Sequence, residues 1–140
     1  MFETNMANGV YTRNEIEKQS EAWASTLDCY AQQEKTLVQA LSNSKQAAWM
    51  VTGCGSTHYA SIGAAALLRR AGVTAWAYPA ADIVHFHDLL PRGEANLLAI
   101  SRSGTTTETL WTVEHFRKLY PGGKVVTITT QLESPLAKSA

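Results

Sequence analysis

Two short loops of the sequence combine glycine with hydroxyl side chains, each directly after an apolar run. Residues 53–57 (GCGST) follow the run AAWMVT, and residues 101–108 (SRSGTTTE) begin with the last residue of the run ANLLAIS. Glycine lets a backbone come close to a ligand, and hydroxyls together with free amide N–H groups at a helix start can bind an anion. Because a helical pattern follows each loop, the sequence predicts an anion site built from hydroxyls and amides.

The elements around these loops alternate in type along the chain. Short apolar runs predict strands, and the longer amphipathic stretches between them predict helices. The predicted strands are 47–52, 73–78, 95–101 and 124–130, and the predicted helices between them are 56–71, 82–89 and 105–120. Strands that are apolar on both faces and joined through helices indicate an α/β fold, a doubly wound parallel sheet of four or five strands. Such sheets bind ligands just past the carboxyl ends of their strands, where both loops fall.

Three sequence patterns predict helix starts. Asn14 with Glu17, and Thr105 with Glu108, have the spacing of capping boxes. The first opens an N-terminal arm, residues 14–42, whose apolar residues recur three, four or seven apart. The third pattern is Ser134-Pro135, a capping hydroxyl followed by proline, close to the end of the chain.

Composition excludes several classes of protein. Twelve basic residues balance twelve acidic ones, which argues against a nucleic-acid partner held through a basic surface. No apolar run approaches the length of about 20 residues that spans a membrane, and residues 1–10 lack the pattern of a secretory signal, so we expect a cytoplasmic protein. The two cysteines, Cys29 and Cys54, have no metal-ligand spacing, so neither a disulfide framework nor a metal site is expected.

The absence of nucleotide motifs narrows the choice of anion. The sequence has no GxxxxGK[ST] motif, and the dinucleotide fingerprint fails because His58 stands where the third glycine would follow Gly53 and Gly55. No bound cofactor is therefore expected. A single phosphate monoester on a small metabolite remains as the predicted ligand.

At these loops the sequence resembles a known family, the sugar isomerase (SIS) domain, and in particular the isomerase half of glucosamine-6-phosphate synthase and related ketose/aldose isomerases and deglycases. Residues 15–27 resemble its "KEI-x-EQP…TL" helix, with Ser20 in place of proline. Residues 53–57 resemble its "ACGTS" loop with Ser and Thr interchanged. Residues 101–106 resemble its "SQSGET" loop, with Arg102 replacing Gln and Thr105 replacing Glu.

The resemblance implies the ligand, the site and the domain boundaries. It implies a sugar-phosphate ligand bound at Gly55, Ser56, Thr57, Ser101, Arg102, Ser103 and Thr106. The permanent positive charge of Arg102 could bind the phosphate directly. The implied domains are an arm at residues 1–45 and a first SIS domain at residues 46–140. We expect the latter to be incomplete at its C-terminus, because the chain ends one turn after Ser134-Pro135.

Two functions remain open at this point. The first is phosphosugar binding within a sugar-phosphate isomerase, catalysing aldose/ketose isomerisation or related C1–C2 chemistry. In that family the acid/base groups come from a second domain and the tail, so no catalytic residue is assigned to this chain. The second is a non-catalytic module that binds or senses a phosphosugar. In either case we expect a homo-oligomer, because an incomplete sheet exposes an edge strand and apolar helix faces.

Two further predictions concern burial. Cys54 is predicted to be a small buried side chain in the first loop. The tryptophans are predicted to pack in the interior, as aromatic side chains commonly do. They are Trp23, Trp49, Trp76 and Trp111.

Overall fold

The structure, a computed structural model, describes residues 9–41 and 47–140. The chain forms two compact units, Met1–Ser42 and Asn43–Ala140. The first contains helices α1 (Val10–Glu17) and α2 (Gln19–Leu41). The second contains, in chain order, β1 (Ala48–Gly53), α3 (Ser56–Arg70), β2 (Ala75–Pro79), α4 (Ala80–His85), a short 3-10 helix (His87–Leu89), β3 (Ala95–Ile100), α5 (Thr107–Leu119), β4 (Val125–Ile128) and α6 (Pro135–Lys138).

The strands form one parallel sheet in the order β2-β1-β3-β4. Strand β1 lies between β2 and β3, and its last residue, Gly53, is paired with Ile100 at the end of β3. This is the order of a flavodoxin-like doubly wound sheet, whose ligand crevice opens where the connections diverge to the two sides. The predicted α/β fold class is therefore confirmed, with four strands in the part of the chain that the structure describes.

The core lies on both faces of the sheet because successive side chains of a buried strand point to opposite sides. On one face Met50 of β1 packs in a cluster with Ile83 of α4, Phe116 of α5 and Leu136 of α6. On the other face Trp49 and Val51 pack with Ala65 of α3. The two layers of helices hold the strand ends, and thus the loops that follow them, in fixed positions.

The predicted start of the N-terminal helix was wrong. Helix α1 begins at Val10, after Gly9 in the left-handed region at φ 88°, and Asn14 lies inside it. The carbonyl of Asn14 accepts a hydrogen bond from the amide of Lys18 at 3.1 Å, as an interior helical residue does. No residue in Val10–Arg13 disfavours a helix, so the helix extends N-terminally past Asn14 as far as Val10. Gly9 precedes it as the N-cap residue.

The capping box at Thr105 was also wrong, whereas the start at Ser134 is confirmed. Helix α5 begins at Thr107 with Thr106 as its N-cap residue. The hydroxyl of Thr105 instead donates to Ser103 Oγ at 3.0 Å, which keeps Thr105 in the loop. Ser134 caps α6 by accepting a hydrogen bond from the amide of Ala137 at 3.2 Å.

Of the four tryptophans, Trp49 alone is buried. The predicted packing in the interior is therefore confirmed for Trp49 and wrong for the other three. Trp76 lies on the edge strand β2, and Trp111 lies on the outward side of α5; both are about half exposed. Trp23 of α2 is 69% exposed. Among the described residues, 9–41 and 47–140, no helix has both the length and the apolar character needed to cross a membrane.

Candidate functional site

The two glycine- and hydroxyl-rich loops lie side by side at the carboxyl edge of the sheet. Since β1 and β3 are neighbours that end together, the β1 loop (residues 54–57) and the β3 loop (residues 101–106) face each other. Between them is an open cavity of about 550 Å³, a size typical of small-molecule sites. Its lining consists of Cys54, Ser56, Thr57, Ser101, Arg102, Ser103, Thr106, Thr130 and Gln131.

The β1 loop is a tight turn closed by one threonine. The hydroxyl of Thr57 accepts a hydrogen bond from the amide of Cys54 at 3.0 Å and donates one to the carbonyl of Cys54 at 2.9 Å. Gly53 is required beneath this turn, because a Cβ atom there would lie 2.6 Å from Thr57 Oγ1. The close approach leaves the start of α3, with Ser56, facing the cavity.

The β3 loop is organised around a buried serine. Ser101 is 2% exposed, and its Oγ accepts a hydrogen bond from the amide of Gly104 at 3.2 Å. The same oxygen lies 3.2 Å from Thr106 Oγ1. Ser103 Oγ accepts from the amide of Thr105 at 3.2 Å. These bonds fold the loop into a compact turn that carries several hydroxyls. The turn leads into the N-terminus of α5, which is the positive end of the helix dipole.

Helix α6 supports the β3 loop from behind. Gly104 is buried at φ 64°, and a Cβ atom at this position would collide with the side chain of Ser134. The amide of Leu136 donates to the carbonyl of Gly104 at 3.1 Å. Ser134 therefore has two roles: it caps α6 and packs against the one residue of the loop that has no side chain.

A third loop, the β4 loop (residues 129–134), contributes to the cavity and is not among the loops that the sequence predicts to form the site. The hydroxyls of Thr129 and Thr130 donate to the carbonyl of Arg102 at 3.2 and 2.8 Å, and the amide of Thr130 donates to it at 3.2 Å. Thr130 and Gln131 line the cavity. The signal was available, since polar residues follow β4 just as they follow β1 and β3.

The structure brings together six of the seven residues predicted for the site. Ser56, Thr57, Ser101, Arg102, Ser103 and Thr106 line the cavity. Gly55 does not, although its left-handed backbone at φ 59° shapes the turn between Cys54 and Ser56. The predicted burial of Cys54 was wrong: the residue is exposed and lines the cavity, because it stands on the turn after β1 ends.

The electrostatic character of the cavity favours an anion. Among the described residues that line it, Arg102 is the one permanent cation, and none is Asp or Glu. The groups whose pKa is raised, chiefly by burial, are Tyr78 and Tyr120, and neither lines this cavity. Across residues 9–41 and 47–140, no cluster of three His, Cys, Asp or Glu side chains is suited to hold a metal ion.

A second, smaller cavity of about 340 Å³ lies at the opposite edge of the sheet. It is lined around the start of β3 and the turn before β4, with Glu94, Asn96 and Lys124 among its polar residues. The side-chain oxygen of Asn96 accepts a hydrogen bond from the amide of Lys124 at 3.0 Å. Because it lies at the amino ends of the strands, this cavity is not at the usual ligand edge of a parallel sheet.

The cavity lies where the connections between strands diverge to the two sides of the sheet. This position and the fold are those of a doubly wound α/β domain, a class that binds small ligands at the carboxyl ends of its strands. The sequence model of the SIS domain matches residues 40–140. The chain belongs to this family.

Comparison with solved structures gives the same fold. Tagatose-6-phosphate ketose/aldose isomerase from Escherichia coli is 27% identical with a TM-score of 0.83, and the match covers 94% of this chain and 37% of that one. A protein of E. coli CFT073, solved in complex with a ligand, is 22% identical with a TM-score of 0.78, covering 96% and 72%. Glucosamine-6-phosphate deaminase from Thermotoga maritima is 24% identical with a TM-score of 0.60, covering 82% and 38%. No curated protein matches the sequence.

Proposed function

We propose that the cavity between the β1 and β3 loops binds the phosphate group of a sugar phosphate. The observation that carries the proposal is the cavity lining, as far as the structure describes it: serine and threonine hydroxyls and one arginine converge at the carboxyl edge of the sheet, with no carboxylate among them. The SIS family membership and the E. coli isomerase with 27% identity support the same ligand class.

The chemistry of a phosphate monoester suits this lining. Its oxygens accept hydrogen bonds, and hydroxyls and helix-start amides donate them without the rigid geometry that a metal ion would need. Arg102 adds a charge-assisted donor that binds two phosphate oxygens at once. The remainder of the cavity, toward Gln131, is the proposed position of the sugar.

We further propose that the domain serves aldose/ketose isomerisation or related C1–C2 chemistry in the whole protein. The chain spans 37% of the length of the E. coli isomerase, so the activity of the whole protein is part of the proposal. One observation favours the alternative, a binding or sensing module: no Asp, Glu, His or Lys lines the cavity, so its described lining supplies no ordinary acid/base pair. Turnover of a bound sugar phosphate distinguishes the two.

The test of ligand binding is calorimetric titration with fructose 6-phosphate, tagatose 6-phosphate, glucosamine 6-phosphate and inorganic phosphate. We expect the phosphate esters to bind and unphosphorylated fructose not to bind. Ser101→Ala should weaken binding by about 10- to 100-fold, since a hydrogen bond to a charged group contributes about 1.5–3 kcal/mol. Thr57→Ala should weaken it by about 10-fold, because the β1 loop loses the bonds that close it.

Two control variants separate the lost hydroxyl from general damage. Thr57→Ser keeps the hydroxyl and should retain most of the affinity. Ser139→Ala removes a serine hydroxyl that lies outside the cavity and should leave affinity unchanged. Equal affinity of Ser101→Ala, Thr57→Ala and the unaltered protein would refute the assignment of the two loops.

Self-association and location remain proposals. We propose that the protein is a homo-oligomer with no nucleic-acid partner, and that it acts in the cytoplasm, where sugar phosphates are metabolised. The balanced charge of the chain supports the absence of a nucleic-acid partner.

A further inference from the structure

The carbonyl oxygen of Arg102 accepts three hydrogen bonds, and all three come from the β4 loop. The hydroxyl of Thr130 donates at 2.8 Å, the hydroxyl of Thr129 at 3.2 Å and the amide of Thr130 at 3.2 Å. A carbonyl oxygen has two lone pairs, so three donors use its whole capacity as an acceptor. The backbone at Arg102 is therefore attached to the β4 loop more firmly than one hydrogen bond would attach it.

Thr130 lines the cavity, but its hydroxyl proton is already used. A threonine hydroxyl has one proton to donate, and a fully ionised phosphate monoester accepts hydrogen bonds and donates none. While Thr130 donates to the carbonyl of Arg102, its side chain has no proton for a bound phosphate. This arrangement excludes a hydrogen bond from the Thr130 hydroxyl to phosphate, so any effect of that hydroxyl on phosphate binding is indirect.

The backbone is held on both sides of Arg102. Just before it, the amide of Ser101 donates to the carbonyl of Ile128 at 3.0 Å, and just after it come the three bonds from the β4 loop. These contacts restrict the direction of the Cα–Cβ bond of Arg102. Because Arg102 is exposed and long, ordering its side chain on a ligand costs rotamer freedom. A fixed backbone lowers that cost by limiting the positions open to the guanidinium group before the ligand binds.

From these contacts we infer that Thr130 is a positioning residue for phosphate binding. Its hydroxyl holds the backbone of Arg102 so that the guanidinium group meets the phosphate in the cavity. The inference rests on the proposed function and extends the phosphate site to the β4 loop, whose residues were not predicted to belong to it. It follows that the hydroxyl of Thr130 contributes to affinity only while position 102 carries a guanidinium group.

Two other roles for Thr130 make different predictions. If its hydroxyl only attached the β4 loop to the β3 loop, losing it would lower affinity whichever residue stood at position 102. If it contacted the sugar, losing it would lower the affinity of sugar phosphates and leave that of inorganic phosphate unchanged. Positioning of Arg102 predicts an equal effect on both ligands and no effect once the guanidinium group is absent.

The first test replaces Thr130 with valine, which has nearly the same shape and keeps the amide bond to Arg102. We expect Thr130→Val to weaken fructose 6-phosphate and inorganic phosphate by the same factor, about 3- to 10-fold, as the loss of one hydrogen bond would. Thr130→Ser keeps a hydroxyl and should retain most of the affinity. Thr74→Val makes the same change at an exposed threonine outside the cavity lining and should leave affinity unchanged.

The second test is a double-mutant cycle between positions 130 and 102, measured by NMR titration of the full chain. In an Arg102→Ala background, Thr130→Val should change the affinity for phosphate by less than about twofold, because coupled residues are not additive. With Arg102 present, Thr130→Val should also weaken the salt dependence of binding, although it replaces one uncharged side chain with another. Thermal unfolding would establish that every variant is folded at the temperature of the titration.

Three results would overturn the positioning role alone. They are an unchanged affinity in Thr130→Val, a loss confined to the sugar phosphate, and an equal loss in the Arg102 and Arg102→Ala backgrounds. In each of these cases the unaltered protein still binds phosphate, so the proposed function stands. Failure of the unaltered protein to bind either ligand would instead overturn the proposed function, and this inference with it.

Discussion

Replacing Gly104 with alanine should both destabilise the SIS domain and abolish sugar-phosphate binding. Gly104 is buried at φ 64°, and the new Cβ would enter the space of the Ser134 side chain. A left-handed conformation costs an alanine about 1–2 kcal/mol. Overpacking adds about 1–3 kcal/mol, so the free energy of unfolding should fall by about 2–5 kcal/mol. The melting temperature would drop by at least about 10 °C for a domain of this size.

The binding defect has a separate cause. Relief of the clash must move the β3 loop away from α6, which would break the bond from the amide of Gly104 to Ser101 Oγ and the bond from Leu136 to the carbonyl of Gly104. Thermal unfolding and calorimetric titration of the same samples measure both effects, at temperatures where the variant remains folded.

Gly93→Ala is the matched control for Gly104→Ala. Gly93 also has a positive φ, 100°, but a Cβ there meets nothing within 4 Å. This variant should show the backbone cost of about 1–2 kcal/mol without the clash and without loss of ligand affinity. If Gly104→Ala were no less stable than Gly93→Ala, and bound sugar phosphate normally, the proposed support of the β3 loop by α6 would be wrong.

Among substitutions of the side chains that line the cavity, reversing the charge of Arg102 should produce the largest loss of affinity. Arg102→Glu removes the one permanent cation found among the described lining residues and places a carboxylate beside the bound phosphate. We expect at least about a 100-fold loss, since the change removes a charge-assisted hydrogen bond and adds repulsion. Arg102→Gln removes the cation alone and should lose about 10-fold. Because Arg102 is exposed, both losses should shrink as salt concentration rises.

The control for Arg102→Glu is Arg92→Glu, the same charge reversal at an exposed arginine outside the cavity lining. It changes the net charge of the chain equally, so a general electrostatic effect would lower affinity in both variants. Calorimetric titration at two salt concentrations measures the difference. Equal losses in the two variants would mean that Arg102 has no local contact with the phosphate.

The features of the site that could be predicted from sequence are those encoded locally. Glycines and hydroxyls directly after a strand pattern specify a turn at the sheet edge, and the β1 and β3 loops each follow such a pattern. Alternation of short apolar runs with helices was enough for the α/β class. These signals need only neighbouring residues along the chain.

The features that could not be predicted depend on contacts between distant residues. The β4 loop reaches the cavity because β4 pairs with β3, and the apolar pattern alone does not give the order of strands. The contact of Ser134 with Gly104 joins residues 30 positions apart. The start of α5 was misplaced because consecutive threonines, Thr105 to Thr107, offer equivalent caps, and the bond from Thr105 to Ser103 decides between them.

Amide chemical-shift mapping by NMR during titration with fructose 6-phosphate tests most directly whether the cavity binds the phosphate group. We expect the largest shifts in the β1 and β3 loops, residues 54–57 and 101–106, and we expect unphosphorylated fructose at the same concentration to leave them unchanged. Shifts concentrated in the second cavity, at residues 93–96 and 119–124, or equal shifts with both sugars, would contradict phosphate binding between these loops.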